Sequence, residues 1–325
     1  MKIVSRAEIQ AALDLDYAFE AIRHGFIALA DNRVQLGPVG HLAFPAARGD
    51  CHIKSAAIEG GDVFAVKIAA GFAANAERGL PTSNGMMMLF SALTGEPLAL
   101  LQDEGWLTDL RTGIAGAIAA RAIASPGAST IGIVGTGIQA RLQAELAAGH
   151  CSASRIAVWG RRAEQAARLA AELAREGFPA TAVASLEALA EQADVVITTT
   201  PATTPMLTHD MFPGVARIVA VGADAPGKQE LTSELTASMD IWIADAIAQC
   251  LDHGELARPY ADRLIPAVRV QELGRHLAAP ETFRPTDRIL VDLTGVGIQD
   301  LQIASAVWSG LDAHQVDRAH AADRP

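Results

Sequence analysis

A chain of 325 residues is long enough for two domains, and half of its residues are hydrophobic, which is typical of a globular protein with a substantial core. The formal net charge is −11 at pH 7, whereas proteins that bind nucleic acid through phosphate contacts need a basic surface. We therefore predict no nucleic-acid partner, and any anionic ligand has to be held by a local group of donors.

The cysteines and histidines give no sign of a disulfide framework or a metal. Cys51, Cys151 and Cys250 are odd in number and lack the spacing of a zinc site. The histidines, among them His41 and His52, form no His-x-x-x-His pair, so we predict no metal. The first residues lack a secretory signal, and no stretch approaches the roughly 18 apolar residues that cross a bilayer. A cytoplasmic protein without a membrane span is expected.

The N-terminal third combines helices with a sheet. Apolar positions recur at helical spacing over residues 5–31, and Ser5 with Glu8 is typical of a capping box. This pattern predicts one or two helices. Over residues 34–100, short β-like runs separated by turn residues predict a mostly antiparallel sheet. A helix rich in small residues is then predicted over 107–125, and it suits a crossing between domains.

The remainder alternates between strands and helices. Hydrophobic runs such as TIGIVG, RIAVWG and DVVITTT are separated by helical segments that include residues 139–149 and 163–175. This alternation predicts an α/β fold with a doubly wound parallel sheet of the Rossmann type. A last helix is predicted over 301–311, followed by a loose polar tail after Asp312.

A phosphate-binding turn lies between the first strand of that sheet and its helix. Gly135, Gly137 and Ala140 form a G-x-G-x-x-A pattern there. The first glycine permits the tight turn, the second lets the backbone approach a pyrophosphate, and the alanine permits close packing of helix and strand. We predict a dinucleotide site that also includes Ile138 and Gln139; the alternative is a tight turn that binds no ligand.

The end of the second strand bears on the choice of cofactor. It reads Gly160, Arg161, Arg162, where an NAD-preferring site usually has an acid for the ribose hydroxyls. Two guanidinium groups can instead hold a 2′-phosphate. NADP(H) is therefore favoured and NAD(H) is possible; the alternative is a solvated pair of arginines.

Six further motifs frame this turn, in the order VKIAAGF, GLPTSNG, TGEPLALL and LTDLRTG before it and VGADAPGKQEL and TGVGIQD behind it. Their order resembles the ornithine cyclodeaminase/mu-crystallin family over nearly the whole chain. The resemblance implies a Rossmann domain, residues 113–301, inserted into an N-terminal α+β substrate and dimerisation domain, residues 1–112, which is rejoined by residues 302–325. It also implies a homodimer and a small amino- or imino-acid substrate.

The resemblance also implies roles for individual residues. Lys67 resembles the family lysine that contacts the substrate and assists proton transfer, and Arg111 resembles the arginine that holds the substrate carboxylate. Burying a lysine unpaired in an apolar strand is costly, so its position itself indicates a site; the alternative is a snorkelling edge lysine. Asp224 resembles the acid that engages the substrate nitrogen, although a helix cap is an alternative reading.

Further cofactor contacts are implied by motif position alone, at Thr82, Arg111, Thr112, Thr200, Gly222, Lys228 and Thr294. Lys228 could equally pair with Glu230 or Glu234 at the surface. Relatives carry an additional substrate arginine where this chain has Gly40. Lys54, on the adjacent predicted strand, could supply a replacement cation that binds the substrate.

Two enzymatic readings follow. In the first, NAD(P)H reduces a ketimine such as Δ1-pyrroline-2-carboxylate, which in reverse is an amino-acid dehydrogenase. The second is an ornithine cyclodeaminase that converts L-ornithine to L-proline and ammonia with bound NAD+. Arg161 and Arg162 favour reduction, since the cyclodeaminase cycle generally uses NAD+. A third reading is a nucleotide-dependent small-molecule binding protein of the crystallin type.

Overall fold

The computed structural model describes the backbone of residues 1–280 and 282–322, and the side chains of these residues as far as Leu311. The chain divides into two compact units. The first comprises Met1–Arg111 and Val296–Pro325, and the second comprises Thr112–Gly295.

The first unit is built on a seven-stranded sheet in the order β1-β7-β6-β5-β4-β2, with β3 also paired to β4. Its strands are β1 Lys2–Ser5, β2 Val34–Leu36, β3 Gly40–Phe44, β4 Gly49–Ile58, β5 Val63–Phe72, β6 Ser83–Ser91 and β7 Pro97–Gln102. Every pairing is antiparallel except that of β1 with β7, which is parallel. The predicted antiparallel sheet is confirmed, and β1 is an edge strand that the sequence pattern did not reveal.

Two helices open the chain, α1 at Arg6–Ala12 and α2 at Leu15–Ala30. The capping box is confirmed, because the Ser5 side chain accepts from the Glu8 backbone and the Glu8 side chain accepts from the Ser5 backbone. Asp14 caps α2 by accepting from the Tyr17 backbone. The apolar face of α2 includes the fully buried Ile22, whose burial contributes roughly 1.5–3 kcal/mol.

The last helix, α11, runs from Gly297 to Ala322 and packs against α2, β4 and β5. It is longer at both ends than predicted, and the predicted loose tail is wrong as far as Ala322. The reason is compositional, since residues 312–322 contain neither glycine nor proline and so favour helix. The segment returning to the first unit begins at Val296 rather than at the expected residue 302.

The second unit is an eight-stranded parallel sheet in the order β10-β9-β8-β11-β12-β15-β13-β14. The strands are β8 Thr130–Val134, β9 Arg155–Trp159, β10 Ala180–Ala182, β11 Val195–Thr198, β12 Arg217–Ala220, β13 Ile241–Ala244, β14 Val270–Glu272 and β15 Ile289–Asp292. From β8 the chain adds strands first on one side, β9 and β10, and then on the other, starting with β11 and β12. This change of side confirms the doubly wound prediction. Strands β10 and β14 were not predicted, because runs of three residues are too short to show a period.

Helices connect these strands: α4 Ile138–Cys151, α5 Ala163–Arg175, α6 Leu186–Gln192, α7 Ser233–Ala237, α8 Ile247–His253, α9 Ala257–Ala261 and α10 Leu273–Ala278. Preceding them, α3 spans Trp106–Ile123, close to the predicted 107–125. Its small residues allow α4 to approach closely, because a Cβ at Gly113 would lie 2.8 Å from the Leu146 side chain. Among the described helices, none has the length and apolarity needed to span a membrane.

Candidate functional site

A charged cluster is buried on one face of the sheet in the first unit. Lys67 on β5 lies directly opposite Lys54 on β4 in the antiparallel register, so both side chains leave the same face. Lys67 is 2% exposed and Lys54 is 9% exposed. Apart from Lys54, the neighbours of Lys67 on this face include the small Ala65 and the apolar Met87, which are both buried.

An aspartate from the first turn of α11 joins this cluster. Asp300 Oδ2 lies 2.9 Å from Lys67 Nζ, and Asp300 Oδ1 lies 3.0 Å from Arg111 Nε. Arg111 also donates from Nη1 to Gln299 Oε1. A single buried carboxylate therefore bridges the lysine and the arginine that the sequence singled out.

The electrostatics of the cluster are set by burial and by an excess of positive charge. Burial and the repulsion of Arg111 lower the pKa of Lys67 to about 7, although Asp300 opposes the shift. Burial would raise the pKa of Asp300, but the charges of Lys67, Arg111 and Lys54 outweigh it and hold that pKa below its usual value. The carboxylate stays ionised, while a lysine with a pKa near neutrality can both give and take a proton.

The arrangement suits a ligand that brings negative charge. Lys54, Lys67 and Arg111 interact with the carboxylate of Asp300, and Lys67 also interacts with the buried carboxylate of Asp103. These three cations outnumber the two carboxylates, so a ligand carboxylate would reduce the imbalance. A further polar atom is also available, because Gln299 Nε2 is buried and has no hydrogen-bond partner among the described residues.

The second unit holds a cavity of about 590 Å³ at the carboxyl ends of β8, β9 and β11. Gly135 follows β8 with φ +135°, a conformation that favours glycine, and a Cβ there would lie 2.3 Å from Thr199 Oγ1. Gly137 is the N-cap of the 14-residue α4 and faces open space. A glycine turn, a helix N-terminus and a cavity of this volume together fit a dinucleotide and its pyrophosphate.

The other residues predicted for the nucleotide site lie beside this turn. Gly160, Arg161, Arg162 and Thr200 line the same cavity, and both arginines are exposed. Ile138 borders a smaller adjoining cavity.

A residue that sequence reasoning did not select shapes the cavity wall. Glu230 is fully buried and accepts hydrogen bonds from Thr198 Oγ1 at 2.6 Å, the Thr200 backbone at 2.6 Å and the Gly222 backbone at 3.0 Å. It thereby fixes two segments that carry predicted cofactor residues. The alternative pairing of Lys228 with Glu230 is wrong, because this carboxylate is used by buried donors and Lys228 Nζ lies 2.5 Å from Asp224 Oδ1.

Asp224 lies in the loop after β12, with its side chain 53% exposed. The next helix, α7, is capped by Thr232, so the helix-cap reading of Asp224 is wrong. Asp224 belongs to the second unit, whereas Lys67 and Arg111 belong to the first.

The remaining predicted residues are divided between the units. Thr82 is exposed just before β6 in the first unit. In the second, Gln139 occupies the first turn of α4, and the Thr112 carbonyl accepts from Gln143. The Thr294 hydroxyl is buried, donating to Asp245 Oδ1 and accepting from Gln249 Nε2, each at 3.0 Å.

Gly40 lies opposite Ile53, and a Cβ at Gly40 would point at that side chain, 3.2 Å from its Cβ. Because strand residues alternate, Gly40 and Lys54 face opposite sides of the sheet. The residues that share the face of Lys54 at this edge are His52 and its cross-strand partner His41.

These features define a Rossmann-type dinucleotide-binding protein whose other unit carries a buried cationic cluster suited to a carboxylate. The chain matches the ornithine cyclodeaminase/mu-crystallin family over residues 1–314 and belongs to that family. The predicted resemblance is confirmed.

Three relatives illustrate the range of the family. The chain is 37% identical to a protein of Sinorhizobium fredii named as an uncharacterized cyclodeaminase, with 95% of each chain covered. The iminosuccinate reductase of Paracoccus denitrificans in complex with NAD+ superposes with a TM-score of 0.88 at 31% identity, covering 97% of this chain and 98% of that one. An archaeal alanine dehydrogenase dimer with bound NAD gives a TM-score of 0.88 at 28% identity, covering 97% of both chains.

Proposed function

We propose that this protein is an NAD(P)H-dependent reductase of small imino acids, working in reverse as an amino-acid dehydrogenase. The observation that carries the proposal is the buried cluster of Lys54, Lys67, Arg111 and Asp300, which offers a place for a carboxylate beside a lysine that can exchange a proton near neutral pH. Relatives named iminosuccinate reductase and alanine dehydrogenase support the same class of reaction.

In this proposal each residue of the cluster has one task. Arg111 and Lys54 bind and orient the substrate carboxylate, so that the C=N group is held in one position. Lys67, as the ammonium ion, donates a proton toward the substrate nitrogen during reduction and takes it back in the oxidative direction. Asp300 is a positioning residue that holds Lys67 and Arg111 through its two oxygens.

The second unit contributes the nucleotide site and a second candidate acid or base. The turn at Gly135 and Gly137 and the N-terminus of α4 would hold the pyrophosphate of the cofactor. When bound, the nicotinamide supplies the hydride for reduction of the C=N carbon or accepts it in the oxidative direction. Asp224, paired with Lys228, is the second group that we propose for proton transfer at the substrate nitrogen.

Absorbance at 340 nm tests the reaction with NADPH or NADH and three substrates: Δ1-pyrroline-2-carboxylate, iminosuccinate, and pyruvate with ammonia. At least one should consume the reduced cofactor.

Lys67→Met should lower kcat by about 10²- to 10⁴-fold, because the positioned acid is lost. Lys2→Met, the same substitution in edge strand β1, is the matched control and should leave kcat unchanged. Cofactor binding without turnover on any substrate would instead favour a binding protein of the crystallin type.

Lys54 provides a separate test of carboxylate recognition. Lys54→Met should raise KM for the imino acid without altering the affinity for the cofactor, because Lys54 belongs to the charged cluster of the first unit. Unchanged kinetics would remove Lys54 from the substrate site while leaving the role of Lys67 intact.

A cyclodeaminase is the second candidate, favoured by the 37% identity to a protein of that name. It would release ammonia from L-ornithine and form L-proline with no net accumulation of NADH. An ammonia assay with ornithine and NAD+, run beside the 340 nm assay, separates the two. Ammonia release without consumption of reduced cofactor on any imine would overturn the reductase proposal.

We further propose a preference for NADP(H), with NAD(H) as the weaker cofactor. Arg161 and Arg162 follow β9 and line the nucleotide cavity, where guanidinium groups can bind a 2′-phosphate. Arg161→Ala and Arg162→Ala should each weaken NADPH binding by about tenfold, the loss of roughly 1.4 kcal/mol, and leave NADH binding nearly unchanged. Arg175→Ala, in the exposed last turn of α5, is the control. Equal losses for both cofactors would contradict the preference.

We propose a homodimer formed through the outer face of the first sheet. Ile53, Ile68 and Met86 lie in register across β4, β5 and β6 and are all exposed, with the exposed Leu42 beside them on β3. A row of apolar side chains on an open sheet face is typical of an interface, and the archaeal alanine dehydrogenase is named a dimer. Light scattering should give twice the chain mass, and Ile68→Glu should give the monomer; a monomeric parent protein would refute this assembly.

We also propose a cytoplasmic location, supported by the cysteines. Cys51, Cys151 and Cys250 are all free thiols, which suits a reducing compartment. Fractionation of cells that produce the full chain would test the location, and recovery outside the cytoplasm would overturn it.

A further inference from the structure

Two histidines and an aspartate meet on the hairpin of β3 and β4. His41 on β3 lies directly opposite His52 on β4, and their ring centroids are 4.7 Å apart. Asp50 precedes His52 by two residues and therefore leaves the same face of the strand, with its Oδ2 3.7 Å from His52 Nε2. One ligand atom from each of the three side chains lies within 4.8 Å of the others.

These three groups are the donors that divalent transition metals prefer. Imidazole nitrogen and carboxylate oxygen bind Zn²⁺ at about 2.0–2.2 Å, which places tetrahedral ligand atoms roughly 3.4 Å apart. The three ligand atoms now lie within 4.8 Å of one another and would have to move closer together by rotation of their side chains. His41 is exposed, and Asp50 and His52 are half-buried, so an ion can enter from solvent.

We propose that His41, Asp50 and His52 bind a divalent transition-metal ion of the zinc class. Three protein ligands leave a coordination position for water or a small ligand, as in open zinc sites. The expectation of no metal rested on the His-x-x-x-His spacing of helices. Cross-strand pairing instead joins histidines that are 11 residues apart in sequence, a spacing that carries no helical signature.

The charges around the site are compatible with a dication. Asp50 supplies one negative charge and the neutral imidazoles supply none, so the bound ion would keep a net charge of about +1. Lys54 is the next residue on this face of β4, and by the rise of a strand its Cα lies about 6.7 Å from that of His52. The charge of Lys54 repels a dication, and Asp50, which lies farther from Lys54 along β4 than His52 does, supplies the opposing negative charge.

The test is a titration of Co²⁺ into full-length, tag-free protein that has been treated with a chelator. The expected result is one equivalent of Co²⁺ with visible absorption bands typical of nitrogen and oxygen ligands, and its displacement by Zn²⁺. His41→Ala, Asp50→Asn and His52→Ala should each lower the Co²⁺ affinity at least tenfold, since each removes a ligand. His24→Ala, on α2 and bonded to Arg23, is the matched control and should change nothing.

Other outcomes would overturn the proposal. These are no saturable Co²⁺ absorption, equal binding by the parent and the three ligand variants, or a thiolate-to-cobalt charge-transfer band that places the ion on a cysteine. Cys51 is close in sequence but faces the opposite side of β4 with its partner Leu42, so Cys51→Ser should bind Co²⁺ normally. Circular dichroism and gel filtration on each variant keep a folding defect distinct from the loss of a ligand.

Discussion

Two buried groups of ionisable residues, one in each unit, differ in the partners of their side chains. In the first unit, Lys54, Lys67 and Arg111 surround the carboxylate of Asp300, so side chains are paired with side chains. In the second, buried carboxylates accept hydrogen bonds mainly from the backbone. Glu255 is an example: it accepts from the Glu230 backbone at 2.6 Å and the Leu231 backbone at 3.2 Å.

The carboxylates of the second unit connect the ends of its strands. Asp292 accepts from the Leu256 backbone at 3.1 Å, and Asp245 accepts from the backbones of Thr294 and Gly295 at 3.0 and 2.7 Å. Burial raises the pKa of Asp292 to about 7 and raises the pKa of Glu255 well above its usual value. These groups tie loops to strands, and their donors come from the fold itself.

This difference distinguishes buried ionisable groups that stabilise the fold from buried groups that are suited to bind a ligand. Backbone donors are present in every folded molecule, so a carboxylate that binds them has hydrogen-bond partners without any ligand, even where burial still raises its pKa. The first unit instead buries an excess of cations whose balance improves when a carboxylate binds. A buried charge is therefore a better indicator of a ligand site when its partners leave the charge unbalanced. The substitutions below test that comparison.

Asp300→Ala should have the largest effect. It removes the carboxylate that Lys67 and Arg111 share and leaves them buried together, and breaking a buried pair in this way costs about 3–5 kcal/mol. Urea denaturation followed by circular dichroism should show the loss. Asp31→Ala, at an exposed ion pair, is the control. A loss below about 1 kcal/mol would mean that the cluster does not depend on its carboxylate.

The pH dependence of stability should be the next largest effect. Burial, together with Arg111, lowers the pKa of Lys67 from 10.5 to about 7, so above pH 7 the unfolded chain binds a proton at this residue that the folded chain has released. Stability from Lys67 therefore rises with pH between 7 and 10.5, by up to about 1.4 kcal/mol per pH unit. Comparing parent and Lys67→Met from pH 7 to 9 isolates this contribution, since other groups are common to both. Parallel pH profiles would show that Lys67 titrates normally.

Glu230→Gln should have a moderate effect that is felt at the nucleotide site. The amide retains the shape but places an N–H₂ group among donors from Thr198, Thr200 and Gly222, which costs about 1–3 kcal/mol. Because Thr200 lines the nucleotide cavity, NADH and NADPH affinities should fall together. Glu234→Gln, on the first turn of α7, is the control. Weaker binding of one cofactor alone would argue against a shared positioning role.

The parts of the fold and of the candidate site that could be predicted are those whose residues lie close together in the sequence. The turn at Gly135 and Gly137 has its whole pattern within a few residues, and Lys67 stands out as a charge in an apolar strand. Asp300 is 233 residues from Lys67, and no local pattern indicates which distant acid pairs with a buried lysine. The sequence suggested a surface position for Glu230, because two of its three donors are backbone groups, which leave no mark on composition.

Lys228→Met should have the smallest effect on stability, below about 1 kcal/mol. Lys228 and Asp224 form an ion pair in which the side chains are 29% and 53% exposed, so water screens the attraction and replaces the lost partner. The buried cluster of the first unit has no such replacement, which is why Asp300→Ala and Lys228→Met should differ by several kcal/mol. The measurement is urea denaturation of the two variants and the parent in low and high salt. Raising the salt should weaken the contribution of Lys228 and leave that of Asp300 nearly unchanged, because only the exposed pair is screened by ions. If salt changed the stability loss of both variants equally, the two ion pairs would be equally screened. The contrast between a buried and an exposed ion pair would then be wrong.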